Sequence, residues 1–404
     1  MLIIAYFCDP TRGSEPGIAW NWVIHLSRHC RISVITRQLN QYPIEAHLAA
    51  HPLANVSFHY LDAPPGLAAW RTGKLYYPRW LHRAGRLGTK LHEASPFHLA
   101  HHLTVATINY PSFLRVPVPL VIGPVGGGES WPRSFRAQAD RLTIGYEWLR
   151  SIRQRTLRYD PFLRAYLGRC SLLLAATPET ERMLSRVARC RVVSMPMAGI
   201  ERSLVASPGE VGERPRVRIY ATSRLLGWKG LHLAIEAFAR VATDHPSATF
   251  TIYGDGPERG TLERLAQRLQ LAERVHFEGW LPRDDMIFRS RAEDIFVLPS
   301  LRDSGGVAVL EAMSTGSPVV CFDAGGPALM VSAECGIKIP VTTPEQAVLD
   351  LARALDRLLV NPTLVARLGE GAQRQVLSAF VWEQKARRMV DHYESLLHGR
   401  LIGL

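Results

Sequence analysis

Two carboxylates, Asp303 and Glu311, stand eight positions apart in the stretch DSGGVAVLE, with Gly305 and Gly306 beside the first and the apolar run from Val307 leading to the second. A packing helix has little use for either acid. Ionised carboxylates accept hydrogen bonds from ligand hydroxyls, and glycines at a helix start leave backbone N–H groups unshielded for a phosphate or a hydroxyl. With the helix opening at the glycines, Glu311 lies about two turns along, roughly 8–9 Å beyond Gly305. One acid at the helix mouth and one further along can grip two parts of an extended polar ligand.

The stretch RLLGWKG supplies cations. Arg224 and Lys229 flank a loop that opens the helical segment LHLAIEAFARVA, and cations at a helix N-terminus favour a diphosphate. GDGPERG begins at Gly254. Its glycines follow G-x-G-x3-G, one residue off the dinucleotide fingerprint, and no suitably placed acid follows, which demotes a Rossmann dehydrogenase. The segment reads as a tight turn that lets backbone approach a ligand closely, with Pro257 starting a helix. Ribose and sugar hydroxyls joined by a pyrophosphate, as in a nucleotide sugar, fit acids and cations placed this way.

Elements of alternating type must position these residues. LIIAYF, ISVIT, VSFHYL, HLAHHL and PLVIGP read as strands separated by helical periodicity. The pattern restarts after the polar, proline-bearing stretch at 201–215, with RVRIYATS, ATFTIYGDG, RVHFEGW, DIFVLPS, SPVVCF and GIKIP. Strands alternating with helices predict two parallel sheets built from right-handed βαβ units, with ligands at the carboxyl ends of strands. Three segments follow: residues 1–200, residues 201–380, and a closing amphipathic helix in 381–404 with Ala386, Met389, Val390, Tyr393 and Leu397 on its apolar side.

Strand ends in the first half carry further candidates. Gly13 and Gly17 bracket Ser14-Glu15-Pro16 at the first strand–helix junction, where Glu15 is either a partner of the helix dipole or an acceptor ligand. HLAHHL ends near His101 and His102, and alternation sends one imidazole inward and the other outward; His102, nearer the strand end, is the preferred functional histidine. Gly126, Gly127 and Gly128 follow the next strand, where three glycines suit close approach of backbone to substrate.

Charge divides the chain. The 404 residues carry a formal net charge of +12. Residues 1–200 hold 24 Lys+Arg against 11 Asp+Glu, and residues 201–404 hold 24 against 25, so the excess lies in the first half. It concentrates in 131–169, where nine arginines meet three acids among seven aromatics. That composition suits an anionic membrane surface, with Trp70 to Lys90 as a companion; nucleic acid is the competing partner, and solvated helix faces with aromatic roots are the bland alternative. Neither a basic n-region nor a run of roughly 20 apolar residues is present, which argues against a signal peptide and a membrane span and for a cytoplasmic protein, with peripheral attachment to the inner membrane face open. Six scattered cysteines with no C-x-x-C pair read as reduced. No Asp-x-Asp or Cys/His cluster offers a metal site, so no metal or other cofactor is expected.

RLLGWKG, the YGDGP turn, the Asp-x7-Glu element running into EAMSTGSPVV, and the closing FVWEQKARRMVDHYESLL together resemble retaining glycosyltransferases of family 4. GPVGGGE resembles a stretch in a subset of these enzymes. The resemblance implies the α/β GT-B fold: two Rossmann-like domains facing across a cleft, donor side at 201–380, acceptor side at 1–200, and the last helix returning to the N-terminal domain. It implies transfer from a nucleotide-diphosphate sugar to a hydroxyl, on a glycan or lipid-linked glycan, with retention and without a metal or nucleic acid. Arg224 and Lys229 would bind the diphosphate, Glu311 the ribose, and Asp303, Gly305, Gly306 and Val307 the transferred sugar. Gly13, Gly17 and Gly254 would line the donor, His102 the reacting centre, and Glu15 with Gly126, Gly127 and Gly128 the acceptor side. The family has glutamate where this chain has Asp303, one methylene shorter, which puts donor identity in play. A GT-B epimerase or phosphorylase, or a basic nucleic-acid-binding protein, is the alternative.

Overall fold

The computed structural model describes residues 1–62, 76–103, 107–110, 113–138, 141–206 and 218–401. Residues 70–75 of the basic companion segment and most of the 201–215 join lie outside them. The chain forms two compact units. One comprises Met1–Gly128, Arg153–Met197 and Trp382–Leu404, and the other Glu129–Ile152 and Ala198–Val381.

The first unit holds a seven-stranded sheet in the order β3-β2-β1-β4-β5-β6-β7, every pair parallel. Its strands are β1 Leu2–Ala5, β2 Ile32–Arg37, β3 Val56–Leu61, β4 Ala100–Leu103, β5 Leu120–Val125, β6 Leu172–Ala175 and β7 Arg191–Ser194. The last two are absent from the sequence reading. Helices cover both faces, giving a separate apolar cluster on each side of the sheet. This coverage corrects the reading of the histidine pair: neither faces solvent, and His101 and His102 are each 1% exposed. Alternation puts them on opposite faces, but a parallel sheet between helices has no outside. The closing helix Trp382–Leu401 packs on the helix Ser14–Ser27, with the Trp22 and Trp382 ring centroids 5.5 Å apart.

The second unit holds a six-stranded sheet in the order β10-β9-β8-β11-β12-β13, again parallel. The strands are β8 Arg218–Thr222, β9 Thr249–Tyr253, β10 Val275–Gly279, β11 Ile295–Leu298, β12 Val319–Phe322 and β13 Gly336–Ile339. One apolar core spans this unit and takes in Trp131 and Phe135 from the inserted segment. Phe135 is fully buried, its ring centroid 6.1 Å from that of Phe322. Among the described residues, no helix is long and apolar enough to cross a membrane.

Candidate functional site

The order of the second sheet reverses between β8 and β11, which lie side by side. Ligands of such sheets bind outside the carboxyl ends of the strands at that switch point. The loop after β8 carries Arg224 and Lys229, and the loop after β11 carries Asp303. Residues 74 apart in sequence are thereby joined: Lys229 Nζ donates to Asp303 Oδ2 at 2.7 Å.

Asp303 is saturated. Its Oδ1 accepts the backbone N–H groups of Gly305 and Gly306 at 3.0 and 3.1 Å, and its carbonyl accepts from Gly326 at 2.7 Å. The amides expected to lie open to a ligand are therefore held by the acid beside them. Burial pushes the Asp303 carboxyl up, but Lys229 and the two amides together outweigh it and hold it below its ordinary value. Gly306, at φ 61°, starts the helix Val307–Ser314. That left-handed backbone favours glycine, whereas the Met330 Sδ that a Cβ would meet at 2.6 Å ends a flexible side chain.

Glu311, on the same helix, is 6% exposed. Its Oε1 accepts from Arg283 Nε at 2.6 Å. Burial dominates its protonation and pushes the carboxyl above the ordinary glutamate range, although Arg283 pulls it down. Arg283 escaped the sequence reading; its only signal was its place just past β10, at the start of the helix Arg283–Ser290. Arg224 is exposed. Gly254, at φ 130°, lies where a Cβ would come 1.9 Å from the Ser223 carbonyl; the close backbone approach there is made by the protein itself.

In the first unit the reversal falls between β1 and β4. Glu15 lines a small cavity with Trp22, Leu103, Gly123, Pro124 and Met197, and burial pushes its carboxyl above the ordinary range. His101 Nε2 lies 2.7 Å from the Gly123 carbonyl and its Nδ1 2.6 Å from the Tyr393 hydroxyl. His102 is on the other face, its Nδ1 2.5 Å from the Tyr166 hydroxyl. Burial lowers both, His101 to about 4 and His102 to about 3, so both rings are neutral near pH 7. Gly13 precedes the helix Ser14–Ser27 and Gly17 lies in its first turn. Gly126 is buried. A Cβ on Gly127 would meet nothing within 4 Å, whereas one on Gly128 would meet the Thr180 backbone at 2.5 Å.

Residues 211–375, which span the Lys229–Asp303 and Arg283–Glu311 pairs, match the family described as "Glycosyl transferases group 1". They form a group 1 glycosyl transferase domain. The chain bearing this glycosyl transferase domain is 31% identical over 176 residues to 2-deoxystreptamine glucosyltransferase of Streptomyces kanamyceticus, covering 43% of this chain and 44% of that protein. It is 32% identical over 180 residues to lipopolysaccharide core biosynthesis glycosyltransferase LpsE of Rhizobium meliloti, covering 44% and 49%. The chain thus spans about half the length of these curated relatives. Among solved structures, HepE of Anabaena in complex with UDP superposes with a TM-score of 0.65 at 19% identity, covering 98% of this chain and 99% of that one. WaaG, a glycosyltransferase involved in lipopolysaccharide biosynthesis, superposes at 0.60 and 16% identity, covering 96% and 98%. At such identities the likeness is one of fold, and the fold is GT-B.

Proposed function

We propose that the chain is a family 4 glycosyltransferase that moves a sugar from a nucleoside-diphosphate sugar to a hydroxyl of a glycan or lipid-linked glycan, with retention and without a metal. The observation that carries this reading is that two ion pairs, Lys229–Asp303 in the loops after β8 and β11 and Arg283–Glu311 between two helices, lie within a group 1 glycosyl transferase domain. The relatives named glucosyltransferase and lipopolysaccharide core glycosyltransferase support it, as do the UDP and UDP-glucose complexes of HepE.

In this reading the diphosphate draws Lys229 from Asp303 and is neutralised by Lys229 and Arg224. Oδ2 of Asp303 is then free to accept a sugar hydroxyl, while Oδ1 stays on its two amides. Val307, at the start of its helix, brings backbone to the donor. Glu311 accepts from the ribose. The anomeric C–O bond breaks through an oxocarbenium-like state, and the cations stabilise the charge that develops on the leaving diphosphate. The acceptor hydroxyl attacks the same face, forming the new C–O bond and passing its proton to the departing phosphate. Acceptor binding falls to Glu15 and the glycines 126–128.

The helix Arg141–Thr156 exposes Ile144, Trp148, Leu149 and Ile152 at 38, 59, 62 and 37%. At helical spacing these fall on one side, together with Arg155. We assign this face to an anionic membrane surface, where aromatic and aliphatic groups enter the interface and arginines meet phosphates.

Calorimetric titration of UDP-, GDP-, ADP- and dTDP-sugars in EDTA tests the donor assignment. Binding of one nucleotide family, lost in Glu311→Ala, is expected. Wild-type protein that binds none of them would sink the proposal.

A further inference from the structure

Glu147 comes from the first half of the sequence but belongs to the second unit, and it is 2% exposed. Its Oε1 is ion-paired with Arg302, the residue before Asp303. Its Oε2 accepts the backbone N–H of Trp131 at 3.3 Å. The Arg302 guanidinium lies 4.6 Å over the ring of Trp228, the residue before Lys229. The two loops are also joined by backbone: Leu301 N–H donates to the Trp228 carbonyl at 2.8 Å, and the Ser300 hydroxyl donates to the same carbonyl at 3.3 Å. A guanidinium over an indole gains from cation–π attraction only while its place over the ring is kept. The ion pair with the buried Glu147 carboxylate restrains it there.

We infer that Glu147 is a positioning residue of the Lys229–Asp303 site, acting through Arg302 and Trp228 to hold the two loops that carry that pair. The functional consequence rests on the donor reading above; the mechanical one does not. The bracing segment is anchored independently of Glu147, by Phe135 in the core and by the Ser134 hydroxyl on the Thr342 carbonyl at 2.5 Å. Loss of the Glu147 charge therefore loosens the loops rather than releasing the segment.

The test is Glu147→Gln, which keeps the shape of the side chain and removes its charge, with Arg302→Gln as a second variant should the first fold poorly. Hydrogen exchange by mass spectrometry is read on peptides covering 224–230 and 299–306, and donor affinity by calorimetry in wild-type and Lys229→Met backgrounds. The expected result is faster exchange confined to those two loops. Affinity for the nucleotide sugar that wild type binds falls about tenfold, with little further loss once Lys229 is gone. Unchanged exchange in both loops, or a rise spread evenly over the unit, would overturn the inference, as would full additivity with Lys229→Met. Absence of nucleotide-sugar binding by wild type defeats the donor reading alone, because exchange still decides whether Glu147 braces the loops.

Discussion

Lys229 and Asp303 occupy one another: the ammonium lies 2.7 Å from a carboxylate whose other oxygen already accepts two backbone amides. The pair compensates both charges within the protein, and under the proposed donor reading a diphosphate exchanges it for its own contacts. The side chains are 18% and 12% exposed, which keeps screening low.

Lys229→Met leaves Asp303 without its cation. Removing one partner of a buried pair costs about 3–5 kcal/mol, and partial exposure places this one near the low end. Asp303 has a lowered folded-state pKa, so its contribution is present above its unfolded value of about 3.9 and lost as pH falls through the folded one. Urea unfolding of the second unit should show the gap between wild type and mutant at pH 7 and its closure below about pH 4.

Glu311 obeys the opposite sign. Its folded-state pKa is raised, so its contribution to stability is fully present below about 4.3 and lost as pH rises through the folded value. At neutral pH the ionised group is a cost. Glu311→Gln should unfold at the same or a higher urea midpoint than wild type at pH 7, while nucleotide-sugar affinity falls at least tenfold. A clear loss of stability would show that Glu311 serves structure instead.

The buried histidines make the first unit sensitive to acid. Unfolded imidazoles take up protons below about 6.5, whereas His101 and His102 resist until about 4 and 3. Between those limits the unfolded state binds more protons, and stability falls as pH falls, by about 1.4 kcal/mol per pH unit for each ring. Denaturation midpoints of the first unit measured from pH 7 to pH 5 should decline; a flat profile would mean that water reaches the rings.

Trp148 and Leu149 are 59% and 62% exposed on the helix Arg141–Thr156. Trp148→Ser with Leu149→Ser should reduce partition onto vesicles of anionic lipid about tenfold, with little effect on neutral vesicles, and added salt should weaken what remains. Equal partition by the variant and wild type would remove the membrane assignment.

Much of the fold was written in local patterns. Runs such as DIFVLPS, with apolar residues at consecutive positions, announced strands covered on both faces, and the restart after residue 215 announced a second sheet. Weak local signals were lost. β7 is half-buried and opens on an exposed arginine, so it shows no continuous apolar run. Asp303 and Lys229 were legible as candidates because they follow strands beside glycine-bearing helix starts, and Glu311 because it interrupts an apolar helical run. Arg283 was not, since an arginine at the start of a surface helix looks ordinary until Glu311, 28 residues later, is seen beside it.

By itself, then, the sequence determined the alternation of strands and helices, the strand-end loops and the acids and cations they carry, because hydrophobic periodicity and glycine placement act over a few residues. Only the tertiary structure decided which charges pair, that both histidines are buried, and that Glu147 meets Arg302, the residue before Asp303. Those facts depend on strand order and on the return of 129–152 to the second unit. Contacts between residues far apart in the chain leave no local period from which they could be read.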